Sequence, residues 1–159
     1  MPASLGFHPA FRWPLPYGSA RSEHFIEFER DEPAPVRRLD KAGLLTPDDV
    51  RRIQHLWWFG RLIANTDMHT GNLSFRPHGT LTLAPAYDML PMMYAPLRGG
   101  EVPVREFEPP LPPPPERVVW AAACEAAVAF WARASQDVRI SEGFRRTCAL
   151  NAERLRRVA

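Results

Sequence analysis

Cysteine, lysine and net charge are all scarce in this sequence. Cys124 and Cys148 are its only cysteines, Lys41 is its only lysine, and the formal net charge is +2 over 159 residues. Two cysteines cannot build a disulfide framework, so we expect two buried thiols in a protein of the reducing cytoplasm. A charge this close to zero argues against a nucleic-acid or membrane partner. No N-terminal stretch joins a charged start to an apolar run, so we expect no signal peptide.

The first 43 residues differ from the rest of the chain in lacking any sustained periodicity. They mix prolines, aromatic residues and charges, and we interpret residues 1–43 as an irregular lead-in, with His24–Phe28 as a candidate short strand; a disordered segment is the alternative. Residues 44–159 are long enough to form a single domain with its own core. The sequence therefore predicts one domain, at residues 44–159.

Three segments with helical spacing predict a mainly α fold. Thr46 before Pro47 is a strong helix start, because threonine caps helices and proline suits the first helical position. Two later helices are expected near residues 118–132 and 141–158, and the apolar run at 118–132 is too short to span a membrane. The predicted inward residues are Ile53, Leu56, Trp57, Gly60 and Ile63 or Ala64 in the first helix, Trp120, Cys124, Val128 and Trp131 in the second, and Phe144, Cys148, Leu155 and Val158 in the third.

Polar residues that can handle a proton or a metal ion are concentrated in residues 62–90. They are Asp67, His69, Asn72 and Asp88. Apolar residues alternate at 73–75 and again at 81–83, around a turn containing Pro77 and Gly79, which predicts a small β-hairpin between the third and fourth of them. We therefore expect a loop after the first helix, a hairpin and a second loop, together forming one polar site.

The residue types at this site suit phosphoryl transfer. That reaction needs a carboxylate that accepts the proton of the attacking hydroxyl, a role open to Asp67, and oxygen ligands for Mg²⁺. Mg²⁺ prefers one or two carboxylates with phosphate oxygens and water, so Asn72 and Asp88 are candidate ligands. Taken alone, the D-x-H-x-x-N pattern is equally compatible with turn and cap chemistry. A zinc site using His69 and His78 would lack a thiol or a third histidine nearby.

Two linked motifs carry a resemblance to a known family. The strings NTDMHTGNLSF at 65–75 and LAPAYD at 83–88 resemble the C-terminal catalytic region of the HipA family, the serine/threonine kinases that act as toxins of type II toxin–antitoxin systems. MLPMMYAP at 89–96 and FEPPLP at 107–112 are similar to its YjjJ-like branch. The resemblance implies the C-terminal lobe of a protein-kinase-like fold, with Mg²⁺ and ATP as cofactors. It also implies that Asp67 is the catalytic base, that His69 orders the loop, and that Asn72 and Asp88 bind Mg²⁺.

The parts of a kinase that grip the nucleotide are not recognisable in the sequence. The nine glycines never form G-x-G-x-x-G, and Lys41 lies in a setting that looks helical rather than strand-like. We therefore expect an N-terminal lobe that is largely absent, and a catalytic lobe that needs a separate N-terminal piece to work well.

Three functional hypotheses follow from these features. The first is a HipA-like protein serine/threonine kinase that transfers the phosphoryl group of Mg²⁺·ATP to a protein hydroxyl. The second is a truncated or split, non-catalytic lobe that binds an antitoxin-like partner. The third is a small-molecule kinase of the aminoglycoside type; those enzymes also carry D-x-H-x-G-N but usually have His-Gly before the aspartate, where this chain has Asn65 and Thr66.

Overall fold

The computed structural model describes residues 39–69, 72–78, 80–97, 101 and 104–159, and the strand predicted at 24–28 lies outside them. Within these residues the chain is mainly helical with one two-stranded antiparallel sheet, as the sequence predicts. The elements, in chain order, are helix α1 (Pro47–Leu62), strands β1 (Phe75–His78) and β2 (Thr80–Leu83), short 3-10 turns at Met92–Tyr94 and Pro114–Glu116, and helices α2 (Arg117–Gln136) and α3 (Glu142–Val158).

Helix α1 begins where its capping residues predict. The Thr46 hydroxyl accepts a hydrogen bond from the Asp49 N–H at 3.1 Å, and Pro47 occupies the first turn. Asp49 is buried, and its Oδ1 accepts the N–H of Leu83 at 3.4 Å. The start of the helix is therefore tied to the second strand of the hairpin.

The main core lies where α2 packs against both α1 and α3. Trp131 of α2 is fully buried at its centre, and its indole N–H donates to the carbonyl of Leu62 at 3.0 Å. Tyr94, Phe130 and Phe144 pack around it with their rings tilted steeply to its own. The last residue of α1 is thus held by the C-terminal part of α2, which fixes the position of the chain that follows Leu62.

Both cysteines lie in this core as predicted. Cys124 and Cys148 are free and fully buried. Burial raises the pKa of the Cys124 thiol, and it raises the pKa of the Cys148 thiol to about 11. Both groups are therefore neutral near pH 7.

Two predicted inward residues are wrong. Trp57 is 40% exposed, whereas the adjacent Trp58 is buried and its indole N–H donates to Glu116 at 2.7 Å. Adjacent helix positions are rotated by about 100°, so the stripe that α1 buries runs through Trp58 and excludes Trp57. Val158 is 37% exposed because it occupies the last turn of α3, beyond the buried Leu155.

The hairpin begins two residues later than the sequence predicts. Leu73 and Ser74 precede β1, and Pro77 lies within the strand, opposite Leu81, and not in the turn. The N–H of Ala84 donates to the carbonyl of Ser74 at 2.8 Å, so these two residues form a hydrogen-bonded pair. Hydrogen-bonded and non-hydrogen-bonded pairs alternate along an antiparallel ladder, so Pro77 and Leu81, three pairs further on, form a non-hydrogen-bonded pair. A proline there costs no hydrogen bond of the ladder.

A smaller core cluster holds the hairpin against α1. Its buried residues are Leu45, Ile53 and Leu73, with apolar side chains from both strands packed on them. Leu73 directly follows Asn72 in the sequence. The cluster therefore anchors the end of the polar loop to the side of α1.

Helix α2 is longer than the apolar run from which it was predicted. In the described part of the chain, the segment Pro114–Gln136 is long and apolar enough, by length and composition alone, to cross a membrane. The core helix of a soluble protein meets the same criterion. Five residues of α2 are buried against the rest of the protein: Trp120, Ala123, Cys124, Ala127 and Trp131.

Candidate functional site

The backbone turns sharply as it leaves α1 and enters the polar loop. Ala64 adopts a left-handed conformation with φ 59°, and the N–H of Asn65 donates to the carbonyl of Gly60 at 2.9 Å. A Cβ at Gly60 would collide with the side chain of Met68, so glycine allows the loop to fold back against the helix. The turn places Asp67 immediately beyond the end of α1.

Asn65 connects the two loops of the site. Its side chain is 5% exposed, and its Oδ1 accepts the backbone N–H of Asp67 at 3.0 Å. Its Nδ2 donates to the backbone carbonyl of Asp88 at 3.1 Å. Both ends of one buried amide are therefore used, one within the first loop and the other across to the second.

Asn72 makes a second connection between the same loops. It is 2% exposed, its Oδ1 accepts the N–H of His69 at 3.0 Å, and its Nδ2 donates to Asp88 Oδ2 at 3.3 Å. The N–H of Asn72 also donates to the carbonyl of His69 at 3.0 Å. The two predicted metal ligands are thus in direct contact, although 16 residues separate them in the sequence.

The four residues predicted for the site occupy different environments. Asn72 is buried, while Asp67, His69 and Asp88 are exposed. His69 contacts Asn72 through its backbone, and Asp67 joins the assembly through its own backbone bond to Asn65. Asp88 has φ 58°, a left-handed conformation that aspartate adopts more readily than most side chains. The structure therefore connects three exposed acidic or basic residues to two buried asparagines, Asp67 and His69 through their backbones and Asp88 through its backbone and its carboxylate.

The side chains of Asn72 and Asp88 are of the types that a hard cation uses as ligands. Among the described residues, no group of three or more His, Cys, Asp or Glu side chains could hold a metal ion. Asn72 presents its amide nitrogen to Asp88, and its Oδ1 has a second lone pair beyond the one used by His69. One exposed carboxylate with one amide oxygen is a suitable protein contribution for Mg²⁺, which takes its remaining ligands from water and phosphate.

A cavity of about 390 Å³ borders the loop that carries Asp67. Its lining includes Asn65, Thr66 and Met68 from the loop, and Trp57 and Arg61 from the exposed side of α1. The exposure of Trp57, which sequence periodicity placed in the core, is explained by this position. Asp67 itself is not among the lining residues, although its neighbours Thr66 and Met68 are.

Asn65 is the residue of this site that the motif reasoning missed. Its position offered one usable signal, since asparagine side chains hydrogen-bond backbone groups two residues on and so favour turns. The bond to Asp67 is of this kind. The bond to Asp88 spans 23 residues and has no local signature in the sequence.

Comparison with known proteins gives one family and one curated relative. A family model described as "HipA-like C-terminal domain" matches residues 34–148. The chain is 37% identical over 148 residues to "Toxin YjjJ" of Escherichia coli (strain K12), and the alignment covers 92% of this chain and 33% of that protein. The chain thus spans about a third of the length of the curated relative that it matches. No solved structure matches it.

Proposed function

The chain belongs to the HipA-like C-terminal domain family, and on that premise we propose that it is the catalytic lobe of a serine/threonine protein kinase. Its reaction is the transfer of the γ-phosphoryl group of Mg²⁺·ATP to a hydroxyl of a protein. The observation that carries the proposal is the contact of Asn72 with Asp88 at 3.3 Å, beside the loop that presents Asp67.

Asn72 and Asp88 are the residues that would hold Mg²⁺. The ion, when bound, neutralises charge on the phosphate oxygens of ATP. The buried Asn72 is fixed by two hydrogen bonds to the backbone of His69, so its amide is held in place before any ligand arrives. Asp88 offers an exposed carboxylate at the end of the second loop. The site thus joins a rigid ligand to an accessible one.

Asp67 is the proposed general base. Its exposed carboxylate accepts the proton of the attacking serine or threonine hydroxyl, whose oxygen forms a bond to the γ-phosphorus as the bond from that phosphorus to the bridging oxygen of ADP breaks. The hydrogen bond from the Asp67 N–H to Asn65 fixes its backbone and leaves the carboxylate to face the substrate. His69 shapes the same loop through its backbone bonds to Asn72.

The biological setting is proposed by similarity. The relative is named a toxin, and we propose that this chain is likewise part of a toxin restrained by an antitoxin-like protein partner. We also propose that the domain corresponds to the C-terminal lobe of a kinase-like fold, that a separate N-terminal lobe completes the nucleotide site, and that the protein works in the cytoplasm. Two buried, free thiols are compatible with that reducing compartment.

Calorimetric titration with ATP in the presence of Mg²⁺ tests the proposed site. We expect the wild-type protein to bind Mg²⁺·ATP, and we expect Asp88→Ala to weaken binding by at least tenfold. Alanine removes the carboxylate that contacts Asn72, and the contact of a divalent cation with a carboxylate contributes more than the roughly 1.4 kcal/mol that corresponds to a factor of ten.

Asp40→Ala is the matched control, because Asp40 is an exposed aspartate outside the site. It should bind Mg²⁺·ATP as tightly as the wild type. Equal affinity in Asp88→Ala and the wild type would refute the metal assignment. Absence of binding to the wild-type protein would refute the expectation that this lobe binds Mg²⁺·ATP by itself.

A non-catalytic, partner-binding lobe is the second candidate, and the surface of α2 favours it. Within the segment Pro114–Gln136, only 28% of the most apolar 18-residue stretch is buried in the protein. A cavity of about 720 Å³ beside it is lined largely by apolar side chains, among them Phe59, Pro91, Phe130, Ile140 and Phe144. Exposed apolar surface of this kind often marks an interaction site. Under this alternative, Asp67→Ala and Asp88→Ala would leave every activity of the protein unchanged.

A further inference from the structure

The amide of Asn65 is bonded at both ends to residues on either side of the candidate site. The oxygen holds the Asp67 N–H at 3.0 Å, and the nitrogen holds the Asp88 carbonyl at 3.1 Å. The side chain is only 5% exposed, so neither bond is readily exchanged for one to water. Asn65 therefore connects the backbone of the proposed base, Asp67, to the backbone of the proposed metal ligand, Asp88.

We propose that Asn65 is a positioning residue that holds the backbones of Asp67 and Asp88 at the spacing required for phosphoryl transfer. The inference rests on the proposed function above and adds a residue to it. Asn65 touches neither substrate nor metal in this assignment. It acts through the two aspartates, and its contribution is the relative placement of their loops.

A second backbone contact beside Asn65 supports this role. The carbonyl of Ala64 accepts the N–H of Met93 at 3.0 Å. Residues 88–93 are thus attached to the end of α1 at two points, one through the Asn65 side chain and one through the Ala64 backbone. The end of α1 is itself fixed by the bond from the Trp131 indole to Leu62. Both loops of the site are therefore attached to the end of α1, and that end is held in place by Trp131.

The bond from Asn65 to Asp88 restrains a backbone conformation that is unfavourable for most residues. Its φ of 58° is a conformation that non-glycine residues rarely adopt without support from their surroundings. The bond from Asn65 to the Asp88 carbonyl restrains that peptide, while Asn72 holds the Asp88 carboxylate. Without the first bond, the peptide is freer to relax towards a more common conformation and carry the carboxylate away from Asn72.

The requirement is for an acceptor and a donor at the two ends of one short side chain. Alanine supplies neither. Serine supplies a hydroxyl that can replace the bond to an N–H two residues on, as in serine turns, but it is one atom shorter and does not reach the second loop. The pair Asn65→Ala and Asn65→Ser therefore separates the local turn from the connection to Asp88.

The experiment is calorimetric measurement of the dissociation constant for ATP at several Mg²⁺ concentrations, with urea denaturation of each variant alongside. We expect Asn65→Ala and Asn65→Ser both to bind Mg²⁺·ATP about tenfold more weakly than the wild type. Asn151→Ala is the matched control, because Asn151 is also a buried asparagine whose side chain donates a hydrogen bond, here to the Tyr94 hydroxyl at 2.8 Å. It should lose stability and keep wild-type affinity for Mg²⁺·ATP.

Each outcome decides the matter. Wild-type affinity in Asn65→Ser would show that the local turn suffices and would overturn the proposed link to Asp88, and wild-type affinity in Asn65→Ala would overturn it as well. If Asn151→Ala weakens binding of Mg²⁺·ATP to the same degree, the loss of affinity in the Asn65 variants reflects general destabilisation, and the proposed positioning role is overturned. A wild-type protein that binds no Mg²⁺·ATP overturns the proposed function, whereas wild-type binding that is unchanged in the Asn65 variants overturns only this inference, so the two failures are distinguishable.

Discussion

Replacing Trp131 by alanine is expected to lower the free energy of unfolding by about 4–8 kcal/mol. The side chain is fully buried and packs against Tyr94, Phe107, Phe130 and Phe144. Truncation of a buried tryptophan costs about 3–5 kcal/mol, to which the loss of its hydrogen bond to a buried carbonyl adds about 1–3 kcal/mol. Domains of this size are commonly stable by about 5–15 kcal/mol, so most of that margin would be removed.

Urea denaturation followed by circular dichroism measures this effect. Trp57→Ala is the matched control, since Trp57 is 40% exposed and packs in neither core cluster. It should lower the free energy of unfolding by about 1 kcal/mol or less. Trp131→Phe, which keeps a ring but removes the N–H donor to Leu62, should fall between the two. Equal losses for Trp57→Ala and Trp131→Ala would contradict the described core.

Asp67→Asn is expected to reduce phosphoryl transfer by about 10²- to 10⁴-fold, the usual contribution of a general base. The substitution keeps the size of the side chain and the backbone bond to Asn65. It removes the negative charge of the side chain and its capacity to accept a proton, and Asp67 is not one of the proposed Mg²⁺ ligands. Affinity for Mg²⁺·ATP should therefore change by no more than about threefold, which corresponds to well under 1 kcal/mol.

Transfer of label from ATP carrying a radioactive γ-phosphate, with the protein itself and casein as acceptors, measures the activity. Asp48→Asn is the control, because Asp48 is an exposed aspartate in the first turn of α1 that pairs with Arg51 and Arg52. Labelling should persist in that variant. If Asp67→Asn transfers phosphate as fast as the wild type, Asp67 is not the base. If it loses ATP binding in proportion, Asp67 belongs to the ligand-binding part of the site.

The family is the feature that the sequence predicted most completely. The strings at 65–75 and 83–88 led to the HipA family and its YjjJ-like branch, and both are confirmed by the family match and by 37% identity to Toxin YjjJ. The mainly helical fold with one hairpin is confirmed as well. The division at residue 43, the roles of Asp67, His69, Asn72 and Asp88, and the use of Mg²⁺ and ATP remain predictions.

Local chemistry explains which elements could be predicted. Thr46 and Pro47 mark the start of α1 because a helix cap depends on residues within one turn of each other. The hairpin was predicted two residues too early because alternation marks apolar positions, while the register depends on which residues the partner strand pairs with.

The sequence by itself determined the helices, the approximate hairpin and the residue types of the site. Only the tertiary structure decided that Trp58 and not Trp57 is buried, since both suit a helix and the packing of α2 chooses between them. The tertiary structure alone also brought Asn65 to Asp88 and Asn72 to the same aspartate. Contacts between residues 16 and 23 positions apart depend on how a whole helix and hairpin pack together, and no local pattern encodes that arrangement.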